Sequence, residues 1–279
     1  LGDVYKRQMK ALALTDHNGL YGAVEFYQKA LEYKIKPIIG AELTLADGFN
    51  LMLLVKDAGG YRNLCRLISK GRLNGGHIGF KLHLKDFTGS SEGLICLSGG
   101  HKGKINHLLK KRHADEAVLY LRKLSDLFGE DIYLEMQHFS SHDSLVNIRL
   151  RDLAVENKIP LVATNDVHFV SNKDWYLRRI MHAIDANTVL EKTATAGTSE
   201  QYLKNSDLMH DLFNSFPGVV QNTQKIARAC NFEFSLGKPV FPSIDLPENE
   251  SSFSWLWKKC FDGAVKRYQP LTEQVTKRL

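Results

Sequence analysis

The sequence predicts an α/β fold whose sheet is built mainly from parallel strands. Short apolar runs typical of buried strands alternate with longer runs of helical periodicity over residues 11–170, and this alternation implies parallel pairing in a layered or barrel architecture. Several predicted strands end in polar residues, which favours the barrel slightly over a doubly wound sheet. The 279-residue chain is 43% hydrophobic and 24% charged, so disorder, collagen-like repeats and low complexity are excluded.

Apolar spacing and its polar interruptions indicate the individual elements. Residues 11–15 form a short apolar run that ends at the polar stretch 16–19, as a buried strand does. Residues 22–33 carry apolar side chains at helical spacing, which predicts the first helix. Further strands are predicted at 36–40, 50–55, 93–98, 132–137 and 160–164, and further helices at 61–73, 114–128 and 144–157.

The chain changes character after Val170, where helical patterns dominate. Residues 205–207 (Asn-Ser-Asp) supply the capping chemistry of a helix start. Residues 237–250 contain three of the seven prolines and indicate an extended connector. Helices are predicted at 173–187, 206–216, 219–231 and 252–268.

Net charge and cysteine content limit the kinds of partner and the cellular compartment that the sequence predicts. The formal net charge is +6 and the pI is near 9.0, which suits a partner with phosphates but is weak evidence alone. No apolar run approaches the roughly 20 residues that span a bilayer, and the start lacks the apolar region of a signal peptide. The four cysteines form no CxxC pair. We therefore expect a cytoplasmic protein with no membrane partner.

Acidic and histidine side chains stand at the ends of predicted strands. His17 follows the first strand, Glu42 the second, and Asp166 and His168 the last. Carboxyl ends of parallel strands converge on one rim, and residues two apart on a strand point the same way. Such a set suits divalent metals that activate water for phosphoester hydrolysis. The alternative is that these residues cap helices or bind water.

Two basic stretches offer weaker signals of phosphate binding. Residues 98–104 (SGGHKGK) are glycine-rich, but their spacing is not that of a P-loop, and a plain strand-to-helix turn is the favoured interpretation. Residues 110–113 (KKRH) fit a solvated helix end better than a DNA contact.

Six blocks of sequence also carry a family resemblance. They are residues 11–17 (ALALTDH), 21–27 (YGAVEFY), 35–42 (IKPIIGAE), 60–69 (GYRNLCRLIS), 93–99 (GLICLSG) and 162–168 (VATNDVH). In this order they resemble the PHP domain of the bacterial DNA polymerase III alpha subunits, which are C-family polymerases. The similarity continues through 200–204, 208–213 and 222–227 into 270–279.

The resemblance implies a fold and a division of the chain. The fold is a distorted (β/α)7 PHP barrel, N-terminally truncated before its first strand and followed by a mostly helical extension. Residues 1–8 are then expected to be a foreign or artefactual leader. Residues 9–235 would form the PHP domain with its C-terminal helices, and 236–279 the connector and the start of the polymerase core.

The resemblance also implies a set of metal ligands. His17, Glu42, Asp166 and His168 match ligand positions of the family, and His138 is a candidate substitute because Phe139 stands where the family has a histidine. Asn50 and Gly100 occupy two further positions where many members have a ligand. The opening His-x-His motif would precede Met9. Zn, Mn or Fe would occupy the site if it is intact, and the resemblance implies that such a centre would be a metal-dependent 3′–5′ exonuclease or a related phosphoesterase.

Three functions remain open from the sequence. The first is a fragment of a DNA-directed DNA polymerase, replicative or error-prone, in bacterial DNA replication. Its polymerase active site and Mg²⁺ would lie outside this chain, so no catalytic residue is expected here, and its partners would be DNA, a proofreading exonuclease and a sliding clamp. The second is a free-standing metal-dependent PHP phosphoesterase. The third is a metal-free PHP scaffold, which the altered ligand positions favour.

Overall fold

Six strands form one open sheet in the computed structural model, which describes Gly2 and residues 9–77, 79–192, 197–239 and 241–279. The strands are β1 (Ala11–His17), β2 (Lys36–Thr44), β3 (Asn50–Val55), β4 (Leu94–Leu97), β5 (Ile132–Met136) and β6 (Leu161–Ala163). Their order in the sheet is their order in the chain. The mixed α/β class is confirmed. The predicted leader, residues 1–8, lies outside the described residues except for Gly2.

One strand runs against the others, so the prediction of parallel pairing is wrong there. β1–β2, β4–β5 and β5–β6 pair in parallel, whereas β3 pairs antiparallel with both β2 and β4. The chain from Thr44 to Asn50 is too short for the crossover of about a dozen residues that a parallel pair needs, so a hairpin forms. As a result, the start of β3 lies on the same rim as the carboxyl ends of the other strands.

Helices follow most of the strands, close to their predicted positions. The bounds of β3 and of the helix at 114–128 agree with the prediction, whereas a short helix after β4 was not predicted. The helices are α1 (Ala23–Glu32), α2 (Ala58–Gly75), α3 (Lys104–Lys110), α4 (Ala114–Phe128), α5 (Asp143–Asn157), α6 (Trp175–Asp185), α7 (Ser206–Leu212), α8 (Gln221–Ala229), α9 (Ser252–Arg267) and α10 (Glu273–Arg278).

Both faces of the sheet are buried. Leu53 and Leu54 are neighbours on β3 and therefore point to opposite faces, yet both are buried. Leu53 belongs to the main core with Leu64 of α2, and Leu54 belongs to a second cluster with Ile226 of α8. This double burial explains why β3 is a nearly continuous apolar run rather than an alternating one.

The chain divides into two compact units, Leu1–Phe234 and Ser235–Leu279. The first contains the sheet and helices α1 to α8, and the second contains α9 and α10. Within the described residues, no helix combines the length and the apolar character that crossing a bilayer requires.

The N-terminus of α2 offers a test of the local structure. Asp57 Oδ1 accepts a hydrogen bond from the amide of Gly60 at 2.9 Å, which satisfies one of the free donors of the first turn. Replacing Asp57 by alanine is expected to lower the free energy of unfolding by about 1 kcal/mol, measured by urea denaturation. The control is Asp126→Ala, because Asp126 is exposed in the last turn of α4, far from any N-terminal capping position. Equal effects of the two substitutions would contradict the capping role.

Candidate functional site

The parallel register of β1 and β2 brings the first two predicted ligands together. His17 is the last residue of β1 and is paired with Glu42 of β2. Its Nδ1 lies 3.2 Å from Glu42 Oε2. Its Nε2 lies 3.2 Å from the hydroxyl of Thr44 and 3.0 Å from the amide nitrogen of Asn18. Both ring nitrogens of His17 thus have protein partners.

Asp166 and His168 form a second histidine–carboxylate pair, but not by the predicted strand geometry. β6 ends at Ala163, so both residues lie in the following loop. Asp166 has a φ of +40°, in a region that few non-glycine residues adopt. His168 Nε2 lies 3.2 Å from Asp166 Oδ1. Gln201 fixes the loop, since its side-chain amide donates to Asp166 Oδ2 at 2.6 Å and its carbonyl accepts from the amide of His168 at 2.9 Å.

Lys102 joins the two pairs. Its ammonium lies 3.2 and 3.3 Å from the two carboxylate oxygens of Glu42 and 3.4 Å from Asp166 Oδ2. The lysine comes from the 3-10 turn Gly100–Lys102 that follows β4. The carboxylates are only 13% and 15% exposed, so the rim contains a half-buried group of two acids, one lysine and two histidines.

The surroundings keep both carboxylates ionised. Burial by itself raises the pKa of Glu42, but hydrogen bonds from His17 and Asn50 and the charge of Lys102 outweigh it, and the pKa of Glu42 is lowered. The pKa of Asp166 falls to about 2, because the hydrogen bond with His168 and the charge of Lys102 likewise outweigh burial. Opposite charge and hydrogen bonding to the ionised form act in the same direction here.

The fifth predicted ligand, His138, has contacts with Asn147 and Phe213. Its Nδ1 lies 3.5 Å from the side-chain nitrogen of Asn147, and its ring lies 6.5 Å from that of Phe213. His101, beside the glycine at a family ligand position, turns instead to Asp143, with Nε2 at 3.2 Å from Oδ1.

Strand β5 contributes a buried carboxyl group that the sequence analysis did not single out. Glu135 accepts hydrogen bonds from the amide of Gly99 at 3.1 Å, from Gln137 Nε2 at 3.1 Å and from the Thr164 hydroxyl at 2.5 Å. These bonds tie the ends of β4, β5 and β6 together. Burial raises the pKa of Glu135 to about 7, against the hydrogen bonds from Thr164 and Gly99.

A cavity of about 770 Å³ opens onto this rim. It is lined by four rim residues, His17, Glu42, Lys102 and His168, and by four residues of α6, Leu177, Arg178, Met181 and His182. Within the described part of the chain, Nε and Nη1 of the Arg178 guanidinium are buried without a hydrogen-bond partner. Burial lowers the pKa of Arg178, and the charge of Asp166 opposes this effect. The cavity is large enough for a small phosphorylated molecule.

The residues present do not fit a multi-metal centre as they are arranged. Across residues 9–77, 79–192, 197–239 and 241–279, no three histidine, cysteine or acidic side chains are grouped so that they could hold a metal ion. His17 and His168 are each bonded to a carboxylate, and the Lys102 ammonium contacts both carboxylates.

Comparison with known proteins shows which family part of this chain resembles. Residues 3–139 match the profile of the PHP domain, so this part of the chain is similar to that family. The match begins inside the stretch 1–8 that we expected to be foreign.

The relatives of the chain are bacterial DNA polymerases. It is 33% identical to the DNA polymerase III subunit alpha of Borreliella burgdorferi over 98% of this chain and 26% of that protein. It is 32% identical to the error-prone DNA polymerase of Symbiobacterium thermophilum over 97% of this chain and 27% of that protein. For the Pseudomonas aeruginosa alpha subunit the values are 34%, 96% and 24%. The chain thus spans about a quarter of the length of these relatives, and the resemblance stated above is confirmed.

Proposed function

We propose that this chain is the N-terminal PHP part of a bacterial C-family DNA polymerase, and that the whole protein carries out DNA-directed DNA synthesis in replication. The observation that carries the proposal is similarity to polymerases over 96–98% of the chain, well past the PHP match that ends at residue 139. The replicative and error-prone relatives match equally well, at 33% and 32% identity, so both types stay within the proposal.

The proposal includes the partners of the whole protein. These are DNA, a proofreading exonuclease, a sliding clamp and the Mg²⁺ of a polymerase site outside this chain, in the bacterial cytoplasm. Nucleotidyl transfer needs carboxylate-bound metal ions that clamp the attacking and leaving oxygens. The carboxylates Glu42 and Asp166 are already engaged by Lys102 and two histidines, which supports assigning synthesis to another part of the protein.

The proposal is tested on the protein encoded by the complete reading frame. We expect a palm region with paired aspartates beyond Leu279 and Mg²⁺-dependent primer extension by the purified product. Replacing one palm aspartate by asparagine should abolish extension, whereas His17→Ala should leave the extension reaction measurable. A reading frame without a palm, whose product hydrolyses phosphate esters when metal is added, would contradict the proposal and favour the free-standing phosphoesterase.

Within the PHP domain, we propose that the rim is a cation site formed by His17, Glu42, Asp166 and His168. Glu42 and Asp166 are largely buried and both contact one ammonium, an arrangement that favours a positive charge between them. His138 was predicted as a further ligand, and its contact with Asn147 supports a structural role for it. Zn²⁺, Mn²⁺ and Fe²⁺ are the candidates if a metal enters, and a scaffold that needs no metal is the alternative that the position of Lys102 supports.

A further inference from the structure

Two carboxylates lie together at the rim of the sheet. Glu42 comes from β2 and Asp166 from the loop after β6, so residues far apart in the chain meet at one point of the rim. The two carboxylates are only 13% and 15% exposed, and both contact the same ammonium, that of Lys102. Acidic side chains placed together in a largely buried site are stabilised by a cation between them. The compensating charge is therefore part of the folded structure.

The ammonium of Lys102 supplies this positive charge. Its ammonium has three donors and no acceptor, and it contacts Glu42 and Asp166 at 3.2 to 3.4 Å. The turn that carries it is fixed by Gly99 and Gly100, whose φ angles are +89° and +50°. A side chain on Gly100 would collide with Gln137, so the backbone of the turn has little freedom.

His17 and His168 contact the same two carboxylates. His17 bonds to Glu42, and His168 bonds to Asp166, each at 3.2 Å. Each imidazole thus supports one carboxylate, and within the described residues no cluster of potential ligands surrounds a common metal position.

We propose that the ammonium of Lys102 is the resident cation of this PHP site and excludes a divalent metal from it. The proposal rests on the cation site described under the proposed function, and it is independent of polymerase activity. A corollary follows from the donor set. Removing the lysine frees two carboxylates and two imidazoles on one rim to turn toward a single ion. Zn²⁺ and Mn²⁺ bind this combination of ligands, so we expect the variant to acquire a metal site that the natural chain lacks.

The experiment compares lysine variants of the full 279-residue chain. Lys102→Ala and Lys102→Gln are titrated with MnCl₂ and with ZnCl₂ by calorimetry, and the Tm of each is measured with and without metal. Lys56→Ala is the matched control, because it also breaks a lysine–aspartate pair (2.7 Å to Asp131) but at the opposite ends of the strands, after β3 and before β5. Lys102→Arg keeps the positive charge and should behave like the natural chain. Circular dichroism establishes which variants are folded.

We expect Lys102→Ala or Lys102→Gln to bind one of the two metals at least about tenfold more tightly than the natural chain and Lys56→Ala do, a difference of about 1.4 kcal/mol. Adding Asp166→Asn to the lysine variant should abolish the gain. Equal affinity in the natural chain, no gain in a folded lysine variant, or a gain that survives Asp166→Asn would each overturn the proposal. None of these outcomes depends on DNA synthesis, so they are distinguishable from a failure of the polymerase assignment.

Discussion

Replacing Gly99 by alanine should lower the free energy of unfolding by about 3 kcal/mol and dismantle the Lys102 site. Gly99 has a φ of +89°, which costs an alanine about 1–2 kcal/mol. A Cβ there would also collide with the carbonyl oxygen of Asn50, at the start of the neighbouring strand. Relieving such a backbone collision typically costs a further 1–3 kcal/mol, roughly. Urea denaturation measures the sum.

Gly48→Ala is the matched control for this prediction. Gly48 has a φ of +85°, nearly that of Gly99, but a Cβ at this position would meet nothing within 4 Å. Its substitution should therefore carry only the conformational cost, about 1–2 kcal/mol. If the two alanine variants lose the same stability, the close approach of β4 and β3 is not what fixes the turn that carries Lys102.

The second large effect is the loss of folding stability that Glu135 causes as the pH rises. The folded pKa is about 7, above the ordinary value of 4.5, so the folded state favours the protonated carboxyl group. The stability due to that preference is fully present below pH 4.5 and is lost as the pH rises to about 7. The loss amounts to about 3 kcal/mol, since one pKa unit is worth about 1.4 kcal/mol.

Glu135→Gln removes this titration, because the amide is neutral at every pH. We expect the free energy of unfolding of the variant, relative to the natural chain, to rise between pH 4.5 and 7 and to level off above that range. Urea denaturation across this range measures the difference. Glu130→Gln is the control, since Glu130 is exposed and its substitution should leave the pH dependence unchanged. A difference between Glu135→Gln and the natural chain that does not vary with pH would refute the raised pKa.

Local sequence signals predicted the elements and half of the site. The apolar runs and their breaks gave the bounds of β3 and α4, because each element is delimited by polar or turn residues on both sides. His17 and Glu42 could be paired in advance, since each stands at the carboxyl end of one of two successive strands. Parallel register then brings them together without any long-range information.

The remaining features depend on contacts between distant residues. After β6, the side chain of Asn165 donates to the carbonyls of Glu200 and Tyr202, both at 2.8 Å. The sequence around residue 165 contains no signal of these partners, which lie more than 30 residues away. The contacts of Lys102 could not be predicted from the sequence either. Its turn was predicted as a strand-to-helix connection, and only the fold shows that the lysine reaches residues on β2 and after β6.

The metal content of the protein tests the central claim most directly. The product of the complete reading frame would be purified without chelators and analysed for Zn, Mn and Fe by inductively coupled plasma mass spectrometry. A site whose cation is Lys102 predicts that none of the three is present in stoichiometric amount, while the protein is folded and extends primers. Stoichiometric metal that disappears in His17→Ala and Asp166→Asn would contradict that account.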